Sequence, residues 1–186
     1  MKKVFVILIC NLFTISTFAQ EFLGIKVDGK RQEVINKFIA KGFKVTSQKG
    51  SSNVVAMEGK VNDTNIELNI VNSPTTSIVW KFAIYLPKQD SWYSIKSQYN
   101  SYLNTLTEKY GEPTNSYNNF INPYYEGDGY EMSAIAIDKC NFISFWNNGT
   151  SIKISKFKQV QISYENAINS AIDDEEKKAL NNKIFK

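Results

Sequence analysis

Residues 31–43, RQEVINKFIAKGF, carry the first decision about the fold. Val34, Ile35, Phe38 and Ile39 recur at helical spacing, so they share one apolar stripe. Asp28 stands ahead of them with a side-chain oxygen suited to the orphan N–H groups of a first turn. The stop is equally legible: Lys41 brings positive charge to the last turn, Gly42 can enter the left-handed conformation, and Phe43 can fold back onto the helix. A second helix is predicted from Ser91 to Tyr110, where Ile95, Tyr99, Tyr102, Leu103, Leu106 and Tyr110 fall at intervals of three and four. Gly111 and Pro113 end it, and Gly42 and Gly111 stand 69 positions apart.

Between and after these helices the period changes from helical to alternating. Val54–Val61 and Ile66–Val71 are runs of strand formers separated by Asn62-Asp63-Thr64-Asn65, which predicts a hairpin. In Ser77–Leu86, Ile78, Trp80, Phe82, Ile84 and Leu86 alternate with Val79, Lys81, Ala83 and Tyr85, and the first set is expected to face the core. Pro87 ends the run. Further strands are expected at Ser116–Ile121, Tyr130–Ile137, Asn141–Trp146, Ser151–Phe157 and Gln159–Tyr164, with reversals at Asp138-Lys139 and Asn147-Asn148-Gly149. Ser170–Phe185 places Asp173, Asp174, Glu175 and Glu176 before Lys177 and Lys178, a charge order that suits a solvated terminal helix.

The expected fold class is therefore α+β, with two tandem repeats of one helix followed by an antiparallel meander of about four strands, plus a C-terminal helix. The units are residues 20–88 and 89–165, with a helical tail at 166–186. Residues 1–19 read as a secretory signal peptide: Lys2 and Lys3 precede the apolar run Val4–Phe13, and Thr17-Phe18-Ala19 offers a cleavage site. Asn11, Thr14, Ser16 and Thr17 interrupt that run too soon for a spanning helix. Cys10 follows Ile9 in mid-run, the wrong setting for lipid attachment. Removing 19 of the 186 residues leaves 167 and takes the formal charge from +4 to +2, a balance that argues against a nucleic-acid partner. Only Cys140 remains, so stability is expected from packing and not from a disulfide.

FLGIKVDGKRQEVINKFIAKGF, the stop-and-turn KYGEPTNSY and the final strand entering VQISYENAINSAIDDEE resemble small exported proteins of Gram-negative bacteria. Some of those adopt the tandem helix-plus-four-strand fold of the β-lactamase-inhibitor-protein-like group. The resemblance implies that fold and a secreted or periplasmic location. It transfers no site residue.

The chain has no histidine, which removes Ser-His-acid and Cys-His nucleophilic sites and, with one mature cysteine, the usual zinc ligand sets. No glycine-rich phosphate loop follows a predicted strand, and no cofactor is expected. Asn122–Glu131, NPYYEGDGYE, offers three readings: a loop tip presenting Tyr124, Tyr125 and Tyr130 to a partner, a carboxylate or calcium site built on Glu126, Asp128 and Glu131, or a hairpin loop whose rings pack back on the sheet. Trp92 and Trp146 join the three tyrosines as candidate binding residues, and Trp80 is assigned to the core. Lys153, Lys156 and Lys158 read as a basic stripe or as the wet face of a strand. Cys140 is expected to be an inert thiol, and Asn62-Asp63-Thr64 and Asn148-Gly149-Thr150 match glycosylation sequons but already serve as turns. Together these features predict a monomeric, non-catalytic exported domain that binds a protein or carbohydrate ligand and keeps no membrane anchor. A small carboxylate-dependent hydrolase and a passive envelope protein are the alternatives.

Overall fold

The computed structural model describes residues 20–47 and 53–184, so the expected signal peptide lies outside the described residues. A two-stranded ribbon, β1 (Glu21–Phe22) and β2 (Ile25–Lys26), leads into α1 (Arg31–Ala40). Then come β3 (Lys44–Ser47), β4 (Val54–Val61), β5 (Thr64–Asn72) and β6 (Val79–Tyr85). The second half holds α2 (Trp92–Tyr110), β7 (Asn115–Phe120), α3 (Glu131–Ala136), β8 (Cys140–Phe145), β9 (Thr150–Ser155) and β10 (Gln159–Glu165), and α4 (Ala167–Ile184) follows. The protein is α+β: β3–β10 form one antiparallel sheet in the order β3-β4-β5-β6-β10-β9-β8-β7. The two halves meet at its centre, where Phe82 pairs with Tyr164 and Ile84 with Ile162.

The helix stops have the geometry their residues specify. Gly42 (φ +89) donates its N–H to Ile39 O at 2.9 Å and Phe43 donates to Phe38 O at 3.1 Å, the paired bonds of a Schellman stop. The Phe43 ring returns to within 5.4 Å of Phe38 and lies over Gly59 on β4, where a Cβ would come within 2.7 Å of the ring. That contact explains a glycine inside an otherwise regular strand. Asn62 (φ 46) and Asp63 (φ 62) make the β4–β5 reversal, a turn that matches strand twist. Ser91 caps α2 by accepting from Ser94 N at 3.1 Å.

Four expectations need correction. Asp28 does not cap α1; Lys30 occupies that position, and the N–H of Arg31 donates to Ser77 O at 2.9 Å, so the segment between β5 and β6 satisfies this first-turn group. Asp28 Oδ1 instead accepts from Gly29 N and Asn169 Nδ2. Tyr130–Ile137 is not a strand: Glu131–Ala136 forms α3, which buries Ala134 and Ile135 together, while Tyr130 and Ile137 stay exposed. Trp80 is half-buried and not core, because the β5–β6 register shifts between Val71 and Asn72 and turns Val79 inward to 0 % exposure. The terminal helix begins at Ala167, before the expected Ser170, and is docked by polar groups. Asn169 Nδ2 donates to Val79 O at 2.9 Å, Glu176 accepts from Thr75 N at 2.7 Å, and Asp173 is buried.

One core serves both halves. Val34, Ile35 and Phe38 of α1 and Ile95, Tyr99 and Leu106 of α2 sit among Met57, Leu68, Ile70, Phe82, Ile152 and Val160 of the sheet. Full burial of each such apolar side chain contributes about 1.5–3 kcal/mol. Both helices thus cover the same sheet face. Because side chains alternate along a strand, the opposite face carries Glu58, Glu67, Tyr85, Lys153, Ile143 and Tyr117, which are exposed or half-buried. α4 docks at the start of β6, where Asn166 N donates to Trp80 O at 2.8 Å, and the small or central residues Ala83, Gln161 and Ser163 of this second face are buried. Among the described residues no helix is long and apolar enough to cross a membrane.

Candidate functional site

Two features stand out on the surface, one in the second half and one spanning the whole sheet. The first is the loop between β7 and α3. Trp92, in the first turn of α2, sets its ring edge-on against Phe120 and Phe142, both at 5.0 Å. Its indole N–H donates to Glu126 Oε1 at 3.2 Å, and the Lys96 ammonium, one helical turn on, pairs with the same carboxylate. The hydrogen bond from Lys96 holds the Glu126 carboxyl below the usual carboxylate range. Lys96 also lies 5.6 Å from the Trp92 ring centre, within cation–π reach.

The other two loop acids bind the loop's own backbone. Asp128 accepts from Tyr125 N at 3.0 Å and from Tyr130 N at 2.7 Å, and buried Glu131 accepts from Gly127 N at 2.8 Å. Each of the three carboxylates therefore has a local structural task, and the loop conformation follows from them. No cluster of three or more His, Cys, Asp or Glu residues among the described residues could hold a metal.

On this fixed loop Tyr125 is 65 % exposed and Tyr130 64 % exposed, whereas Tyr124 is half-buried against the core. Trp92 is also half-buried and holds the loop through Glu126. Trp146 does not join the surface set. It is buried, and its indole N–H donates to Gly111 O at 2.7 Å, tying the β8–β9 reversal to the end of α2. Tyr93, which was not among the candidates read from sequence, is 83 % exposed. Its signal was available: it adjoins Trp92, and its position in the first turn falls off the apolar stripe.

The second feature is the open sheet face. Cross-strand partners there form one transverse row over all eight strands: Lys44, Glu58, Glu67, Tyr85, Gln161, Lys153, Ile143 and Tyr117. Charge concentrates at the β3–β5 end of the row, and apolar surface at the β8–β7 end. Near the charged end an open cleft of about 1040 Å³ is lined by Lys41, Lys44, Lys60 and Lys88 among others. Lys153 lies on this face, but Lys156 and Lys158 sit in the β9–β10 turn, with the Lys156 ammonium 5.7 Å from the Phe157 ring centre, so the three form no stripe. Burial pushes the Cys140 thiol up to about 12, which keeps it protonated at neutral pH. The chain matches no protein-family model, no curated protein and no solved structure.

Proposed function

We propose that the chain is an exported, non-catalytic recognition domain that binds a protein or other macromolecule through its open sheet face and its tyrosine loop. The observation that carries this reading is the pairing of exposed rings with a fixed support. Tyr125 and Tyr130 face solvent on a loop whose backbone is held by Asp128 and Glu131 and whose flank is held by Trp92 and Lys96. Rings held in advance lose little conformational entropy on binding, which is the condition under which tyrosines dominate an interface. Export rests on the signal-like residues 1–19.

We also read α1 with β3–β6 and α2 with β7–β10 as a tandem repeat of the β-lactamase-inhibitor-protein-like kind. Element order, the glycine stops at Gly42 and Gly111, and the meeting of the two last strands at the sheet centre support it.

The test compares the mature domain with a Tyr125→Ser, Tyr130→Ser variant as bait for an envelope extract. A species retained by the first and lost by the second, at equal melting temperature, is the expected result. Equal capture by both, or none by either, counts against the loop as a binding site.

A further inference from the structure

β3 and β7 are the two outer strands of the large sheet, and they are built differently. β3 is four residues long, carries Lys44, and slips register between Val45 and Ser47. Short length, charge and irregularity are the ordinary protections of a sheet edge. β7, NSYNNF, is six residues long and pairs with β8 without a slip. Neither β7 nor β8, CNFISF, has a charged side chain.

The phase of β7 is fixed at its end, where Ile121 N donates to Lys139 O at 3.0 Å. In an antiparallel ladder the bonded direction alternates, so Asn119 and Tyr117 bond to β8 while Ser116 and Asn118 turn their N–H and C=O outward. Asn115, Ser116, Tyr117, Asn118 and Asn119 are all exposed, so that edge is uncovered.

We propose that β7 is a self-association edge: two copies of this chain pair β7 with β7, antiparallel across a two-fold axis, and join their sheets into one. The inference does not depend on the tyrosine loop, and it departs from the monomer expected on sequence.

A second copy is the occupant for three reasons. A two-fold pairing asks only that a strand tolerate itself, and an uncharged strand brings no like charges together. The register that sets Ser116 opposite Asn118 of the other copy sets Tyr117 opposite its own counterpart, at a non-hydrogen-bonded position where side chains come closest. Tyr117 is 53 % exposed in the single chain and gains a ring partner there. Finally, pairing β7 with β3 of a neighbour would propagate a filament, and Lys44 and the slip in β3 oppose it. The assembly therefore closes at two.

Sedimentation equilibrium of the mature chain from about 1 µM to about 1 mM tests this. The expected mass rises with concentration from monomer to dimer and goes no further. Tyr117→Lys, which sets two cations on the two-fold axis, is expected to weaken the dimer about tenfold or more, with added salt recovering part of the loss. An equimolar mixture of Tyr117→Lys and Tyr117→Glu is expected to form a heterodimer tighter than either variant's own dimer. Asn118→Pro removes an outward N–H and gives a second route to the monomer; circular dichroism identifies which variants remain folded. A monomer at every concentration, growth beyond two, a dimer indifferent to both substitutions, or an unrelated extended peptide binding β7 of a monomeric chain would each overturn the proposal.

Discussion

The two halves of the molecule run through the same order of helix and strands, yet they differ in what lies between their first two strands. Residues 48–53 join β3 to β4, whereas residues 121–139, including α3, join β7 to β8. The faces under the helices differ as well. Under α1, Phe38 packs on the rings of Phe43 and Phe82, with ring centres 5.4 and 5.2 Å away, while under α2 the ring of Tyr99 meets Phe142 and its hydroxyl meets that of buried Ser144 at 3.0 Å. The first half is a compact closure around one Schellman stop. The second half devotes its extra chain to an exposed, internally bonded loop, and its outer strand is the unguarded one. The exposed rings and the uncharged sheet edge thus belong to the second half, whereas the charged end of the open face belongs to the first.

The largest effect separates a shared core from two independent ones. Phe38→Ala in the first half and Tyr99→Ala in the second are each expected to cost about 3–5 kcal/mol, and each is expected to lower one common thermal transition. Two transitions that move separately would make the halves autonomous and break the continuity of β6 with β10. A smaller effect belongs to the second half alone. Trp146→Phe removes the bond to Gly111 O and is expected to cost about 1 kcal/mol, read as a shift of the denaturation midpoint at constant slope.

Asp128→Ala sharpens the contrast between scaffold and loop. It removes the acceptor of two loop N–H groups, so amide exchange at Tyr125 and Tyr130 is expected to speed up more than tenfold, while global stability changes by less than about 1 kcal/mol. A large global loss would show that the loop supports the sheet.

The pH dependence of the loop has a definite sign. Glu126 has a lowered folded-state pKa, so its contribution is present above the ordinary carboxylate value and is lost as pH falls through the lowered one. Trp92 fluorescence should therefore change on acidification before the global transition, and Glu126→Gln should remove that early change. The smallest effect concerns Cys140, which should resist thiol reagents in the native protein at neutral pH and react on unfolding.

Much of this was legible in short stretches of sequence, and the exceptions share a cause. Val34 to Phe43 and Asn62-Asp63 specify their geometry through neighbours a few positions away, so helix, stop and turn could be read directly. Met132, Ala134 and Ala136 alternate as a strand would, and α3 is set instead by the burial of Ala134 beside Ile135 and by Glu131 reaching Gly127. The register shift beside Val79 depends on how β5 meets β6, which no periodicity in β6 alone records. In the loop, the tyrosines were visible from composition. Their support was not, because Lys96 and Glu126 lie thirty positions apart, and Trp146 could be assigned to the interior only once Gly111 was beside it.

Cysteine accessibility across adjacent sheet positions tests most directly whether both helices cover one sheet face and leave the other open. In a Cys140→Ser background, single cysteines at Glu67, Leu68, Ile152 and Lys153 are labelled in the native protein. Rapid reaction is expected at 67 and 153, and protection at 68 and 152 until unfolding. Equal reactivity at all four, or protection at 67 and 153, would contradict it.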